Sequence, residues 1–217
     1  MRDKDIVLAV ATLKGGSGKS TVASCLAVHW QLAGHAPVLI DADPQRSLLR
    51  LAARDRALGG VAVHQTSENG GDIAATVQRL RQDHSPVILD TAGFRAASTL
   101  AALAAANLVI VPVKPSPLDV DVMLDTARVL FHTADGKVPR FYCLLTQTTR
   151  DSVISRHIRS ELKNAGFPLL DSELVNRVGY GEAALYGATP SLVDAHGPAA
   201  ADIAALAAEI EALLETS

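Results

Sequence analysis

Cysteine is scarce in this chain: Cys25 and Cys143 are the only two in 217 residues. That excludes a disulfide-stapled scaffold. Both lie in apolar patterns, so they read as small buried residues of a reducing compartment. Excess positive charge is missing too. The net charge is −3, so DNA binding, if any, must come from a local patch rather than from the whole surface. No apolar run is long enough to span a bilayer. Repeats, linkers and low-complexity tracts are absent, and one domain over residues 1–217 is the expectation. Met1-Arg2-Asp3-Lys4-Asp5 runs directly into an apolar strand, which predicts no signal peptide and a cytoplasmic chain. What is present is a composition with 48% hydrophobic and 20% charged residues, enough for a substantial globular core.

The stretch that organises the chain is Lys14-Gly15-Gly16-Ser17-Gly18-Lys19-Ser20-Thr21. It follows the apolar run Ile6–Ala11 and precedes a helical pattern from Val22 to Gln31. Strand, glycine-rich turn and helix together make the context of a phosphate-cradling loop. Glycines let backbone N–H groups converge on an anion, and the helix adds its unpaired amides and the positive end of its dipole. Lys19 is placed to reach the β- and γ-phosphates, and the Ser20 hydroxyl to ligate Mg²⁺. An ordinary strand-to-helix turn is the plainer alternative, and the spacing of Gly, Lys and Ser argues against it. Leu13 stands where the general phosphate-loop pattern has its first glycine, and Lys14 adds a second lysine.

Further apolar strands end in acid. Val38-Leu39-Ile40 runs into Asp41-Ala42-Asp43-Pro44-Gln45, and Pro86-Val87-Ile88-Leu89 runs into Asp90-Thr91-Ala92-Gly93. Such strands place carboxylates at the carboxyl edge of a parallel sheet, where ligands bind. Asp41 and Asp43 also read as helix N-caps, with Asp43-Pro44 suited to a cap followed by proline. Residues 46–60 read as a helix ending at Gly59-Gly60, and 61–64 as a strand. Helices are expected over 72–82, 96–106, 118–131, 151–165 and 198–214, with strands at 108–113 and 140–146. Arg156, Arg159 and Lys163 share one helix face, a stripe that can bind phosphates or simply be solvated. Alternating strands and helices predict an α/β fold, a mostly parallel doubly wound sheet with helices on both faces.

K-G-G-x-G-K-[ST] resembles the deviant Walker A motif of the ParA/MinD ATPases, a P-loop NTPase family, and the likeness covers nearly the whole chain. The order of motifs at 14–21, 41–45, 90–93 and 115–119 is similar to that of the small ParF-like partition ATPases. The resemblance implies ATP and Mg²⁺ as cofactors, with Gly15, Gly16, Ser17, Gly18, Lys19, Ser20 and Thr21 around the phosphates. It implies that Lys14 enters the partner subunit's nucleotide in an ATP-dependent sandwich homodimer. Asp41 and Asp90 would support Mg²⁺ with Ser20, and Asp43 would orient the attacking water. Lys14, Lys19 and Asp43 are then the catalytic set. Pro117, in Lys114-Pro115-Ser116-Pro117-Leu118-Asp119, would lie near adenine, as would Thr146 and Gln147, although the family more often has an asparagine after that strand. Arg177, in Asn176-Arg177-Val178-Gly179-Tyr180, falls in a segment similar to the family's DNA-contacting region and joins Arg156, Arg159 and Lys163 as a DNA-binding candidate.

By that resemblance the protein is a slow, partner-stimulated ATPase. It would bind DNA non-specifically, associate with the nucleoid, and drive plasmid or chromosome partition with a ParB-like centromere-binding partner or another cargo adaptor. A ParA-like positioning ATPase for carboxysomes or other cargo is the nearest alternative, and a MinD-like membrane-cycling regulator another. The last helix carries Asp202, Glu209, Glu211 and Glu215 and no lysine or arginine, whereas MinD-type tails are basic. It is expected to pack on the core, and no membrane partner is expected. Cys25 and Cys143 do not match the bridging cysteines of an iron-protein-like electron donor.

Overall fold

Strands made of Val, Leu and Ile with no polar side must be covered on both faces. The computed structural model describes residues 6–12, 14–67, 69–93, 96–116, 139–150 and 152–215. Its strands are β1 (Val7–Val10), β2 (Val38–Ala42), β3 (Ala62–Gln65), β4 (Val87–Thr91), β5 (Leu108–Val113), β6 (Arg140–Thr148) and β7 (Leu169–Val175). They form one parallel sheet in the order β3-β2-β4-β1-β5-β6-β7. β1, β2, β4 and β5 are buried at every position. The described helices are α1 (Lys19–Leu32), α2 (Ser47–Ala52), α3 (Ile73–Leu80), α4 (Ala97–Ala105), α5 (Val153–Asn164), α6 (Val178–Leu185), α7 (Pro190–Val193) and α8 (Pro198–Glu215). The expected doubly wound fold is therefore present. Pro117 and the helix expected over 118–131 lie outside the described residues.

Side-chain alternation along the strands divides the core in two. Val7 and Ala9 of β1 point into a cluster with Ile73 and Val77 of α3, Leu103 of α4 and Ile158 of α5. Leu8 and Val10 point the other way, against Leu26 and Trp30 of α1 and Ile203 and Ile210 of α8. Each fully buried Leu or Ile contributes roughly 1.5–3 kcal/mol. The apolar stripe of α8 is thus committed to the core, as its charge pattern predicts. Trp30 Nε1 donates to Glu211 Oε1 at 2.6 Å, tying α1 to α8. Cys25 and Cys143 are both buried and free, and burial pushes each thiol up to about 12.

Chain order explains where a ligand must go. From β1 the chain moves to β2 on one side, returns to β4 between them, and then reaches β5 on the other flank of β1. The carboxyl end of β1 is therefore the point where the winding reverses, and a crevice opens there.

Three segments differ from the sequence expectation. The helix expected over 46–60 stops at Ala52. A separate 3₁₀ turn follows at Ala57–Gly60, in which Leu58 has φ 52 and is fully buried. The left-handed backbone swings Leu58 inward, and Leu58 N bonds Gly187 O at 2.8 Å. β7 was not expected at all, because an edge strand with only Leu170 and Leu174 buried shows no continuous apolar run. α6 was likewise hidden, since its single fully buried residue is Ala183.

The basic residues offered for DNA are partly committed elsewhere. The Arg177 guanidinium grips Asp202 of α8 through Nε at 2.7 Å and Nη2 at 3.0 Å, with side chains only 18% and 14% exposed. The pair holds α6 to α8. Arg159 donates to Leu170 O at 2.9 Å and pairs with Glu173 at 3.2 Å, so it faces β7 rather than solvent. Lys163 stands 4.0 Å from Asp171. We expect Arg177→Ala to cost about 2 kcal/mol, because Asp202 is left largely buried without its counter-ion. Asp202→Ala should cost a similar amount, and the double variant much less than the sum in urea denaturation. Strictly additive losses would show that the pair does not join the two helices.

Candidate functional site

The loop between β1 and α1 is built to present amides. Gly16 has φ 74 and Gly18 φ 96, conformations that side-chain-bearing residues rarely adopt. Gly18 caps α1 without a side-chain hydrogen bond, and the first turn of α1 carries no acidic residue. The first intrahelical bond is Val22 N to Gly18 O at 2.8 Å, so the amides of Lys19, Ser20 and Thr21 have no helical acceptor. A helix start with amides left unpaired by the helix and no acid is an anion site in waiting. Lys19 is 9% exposed, and its Nζ donates to Lys14 O at 3.4 Å, folding the ammonium back over the loop.

The end of β6 holds this loop in place. Thr146 Oγ1 donates to Ser17 O at 2.8 Å, and Gln147 Nε2 donates to Gly16 O at 3.1 Å. Gln147 itself sits at φ 54. The two residues expected at the base are therefore braces of the phosphate loop. They also border a cavity of about 630 Å³ that opens beside Gly18, Thr21 and Val22. Its far wall is Asn176, Arg177, Val178 and Tyr180, the segment read from sequence as DNA-contacting. Asn176, whose N bonds Thr148 O at 2.8 Å, supplies an amide side chain at the end of β7 instead of β6. Sequence reading missed it because it missed β7. The buried Tyr180 hydroxyl has no hydrogen-bond partner among the described residues.

On the other flank stand the carboxylates. Asp41 and Asp90 are register partners at the ends of β2 and β4. Asp41 Oδ2 accepts from Leu48 N at 3.0 Å and Leu49 N at 3.1 Å, while Oδ1 accepts from Asp43 N at 3.2 Å. Asp41 therefore anchors the start of α2 with its side chain. Burial pushes its carboxyl up, and these three amides pull it back. Asp43 Oδ1 accepts from Gln45 N at 2.9 Å and closes a turn. It does not cap α2, whose N-cap is Arg46 at φ 54, and Pro44 is not the first helical residue.

Asp90 differs from both. It is fully buried, and neither carboxylate oxygen makes a hydrogen bond within normal limits among the described residues. Burial raises it from 3.8 to about 7, Asp41 and Asp43 add to the rise, and the neighbouring Ser20 hydroxyl and Lys19 ammonium oppose it. A buried carboxylate without a partner beside a hydroxyl is a hard-oxygen pair that fits Mg²⁺. Among the described residues no group of three or more His, Cys, Asp or Glu side chains converges as a metal cage. Mg²⁺ would therefore complete its shell with phosphate oxygens and water, as is usual for this ion.

Because the folded chain holds the Asp90 proton more tightly than an unfolded one, it binds more protons between pH 4 and 7. Its stability contribution therefore falls as pH rises through that window. Asp90→Asn removes the charged form. Without Mg²⁺ or nucleotide it should melt at least ~2 °C above the wild-type chain at pH 8 and lose that advantage near pH 5. Calorimetry showing no gain at pH 8 would mean that the carboxylate is not strained by burial.

Comparison with known proteins places the chain in a family. "Maintenance of carboxysome distribution protein A" of Halothiobacillus neapolitanus is 27% identical over 203 residues, covering 92% of this chain and 93% of the relative. "Protein ParA" of Rhizobium radiobacter is 26% identical over 186 residues, covering 83% of each. The septum site-determining protein MinD of Pyrococcus horikoshii, solved with Mg-ADP, superposes with a TM-score of 0.77 at 16% identity, over 96% of this chain and 97% of that one. The model of the CobQ/CobB/MinD/ParA nucleotide-binding domain matches residues 8–190, and the chain belongs to that family.

Proposed function

We propose that this chain is a ParA-type ATPase that cycles between a monomer and an ATP-bound sandwich dimer to position cargo on DNA. The observation that carries the reading is the loop itself. Two lysines, Lys14 and Lys19, share one glycine-rich turn whose amides are free, next to the unpartnered Asp90. Lys19, at the helix start, serves the loop's own phosphates, and the family resemblance assigns Lys14 to a partner's.

In this mechanism Lys19 leaves Lys14 O and takes the β- and γ-phosphate oxygens. The amides of residues 15–21 hold the remaining phosphate charge. Ser20 and Asp90 would hold Mg²⁺, which when bound neutralises charge on the phosphates. Asp41 acts behind them, fixing α2 and hence the turn that carries Asp43. Asp43 orients the water that attacks the terminal phosphate. The cavity lined by Thr146, Gln147, Asn176 and Tyr180 takes the base. Lys14 crosses to the neighbouring copy, so hydrolysis requires two chains.

The dimer binds DNA non-specifically, with Arg156 and Lys163 on the exposed face of α5 as contacts, and a cargo-bound partner stimulates hydrolysis and release. The cargo is a plasmid or chromosome carrying a ParB-like partner. A carboxysome or similar body is the second reading, favoured by near full-length likeness to the Halothiobacillus protein. Membrane cycling is disfavoured. α8 buries its apolar stripe in the core, leaving it no apolar face to lay on lipid.

Sedimentation with a non-hydrolysable ATP analogue and Mg²⁺ should show a dimer, and ADP a monomer. Lys14→Ala should still bind nucleotide as a monomer but lose at least ~100-fold of the partner- and DNA-stimulated hydrolysis, the usual scale for removing one transition-state charge contact. A wild-type chain that stays single at saturating analogue would overturn the reading.

A further inference from the structure

A third lysine belongs to the site. β5 is buried along its whole length and pairs with β1, with Ala11 N bonded to Ile110 O at 3.0 Å. The paired part of β1 ends there, while β5 runs on to Val113. The following residue, Lys114, is therefore carried past the end of β1 and over the phosphate loop. Its Nζ lies 3.9 Å from where a Cβ on Gly16 would stand. The preceding Val113 O is braced by Thr146, the same residue that holds Ser17 O, so loop and lysine hang from one support. Pro115 restricts the Lys114 backbone to extended conformations.

Among the described residues no acceptor holds the half-buried Lys114 ammonium. A lysine ammonium set over a loop of helix-start amides is placed to meet an anion that the loop binds. The sheet order says which part of the anion. Asp41 and Asp90 end β2 and β4, on one side of β1, and Lys114 follows β5, on the other. Asp90, which with Ser20 would hold the metal, stands on the β4 side of β1, and Lys19 stands at the helix start. Phosphate oxygens on the β5 side would fall to Lys114.

We propose that Lys114 contacts the terminal phosphate of the bound nucleoside triphosphate from the β5 side, opposite the metal, and so favours triphosphate over diphosphate. This rests on the ATPase reading above. The test is titration calorimetry on the full chain with Mg²⁺, at a concentration where sedimentation shows a monomer. A non-hydrolysable ATP analogue is compared with ADP for the wild type, Lys114→Gln and Lys114→Arg. Lys114→Gln should weaken the analogue about 10-fold and ADP less than 2-fold, and Lys114→Arg should recover most of the loss. Melting temperatures of both variants should match the wild type, which separates a phosphate contact from a folding role. Equal weakening of both nucleotides, or of neither, overturns the assignment while leaving the ATPase reading intact. A wild-type chain that binds neither nucleotide overturns both.

Discussion

A charge sealed away from water raises the free energy of the fold that seals it. Asp90 is held in that condition by the strands on either side, β1 and β2, with no donor among the described residues at full hydrogen-bond distance. The cost is tolerable only because the neighbourhood can be completed by something positive. Ser20 and Lys19 sit close enough to ease the carboxyl back toward ionisation, but not enough to restore it. Nucleotide and metal together would supply what the apo chain lacks. Binding and stability are thus linked through one side chain, since a ligand that pairs with Asp90 removes a penalty as well as adding contacts.

The rest of the molecule serves to keep that edge in register. Parallel strands deliver all their carboxyl ends to one side, so Asp41, Asp90, the phosphate loop and Lys114 converge without any of them being near in sequence. Asp41 fixes the start of α2, and Thr146 and Gln147 pin the loop. Positioning here is done mostly by side chains bonded to backbone, which resists rotamer drift better than side-chain pairs do.

The strands of the central sheet and the order of the acidic strand ends were legible because buried parallel strands announce themselves as unbroken apolar runs. The glycine loop was legible because its chemistry demands particular residues at particular spacing. What was not legible depended on partners distant in the chain. Arg177 looks like a free cation until α8 brings Asp202 to it. That Thr146 and Gln147 also pin the phosphate loop emerges only when β6 is laid beside it. Leu58 adopts a left-handed backbone that local pattern disfavours, because burial of its side chain outweighs the strain. β7 and Asn176 escaped because an edge strand alternates weakly and carries polar residues.

That edge strand has one more consequence. The amides of Asp171 and Ser172 are taken by the two oxygens of Glu209, at 2.7 and 2.8 Å, and that of Val175 by Asp202 at 3.4 Å. The acids of α8 therefore occupy donors that an incoming strand would need. The sheet is closed to strand addition on this border.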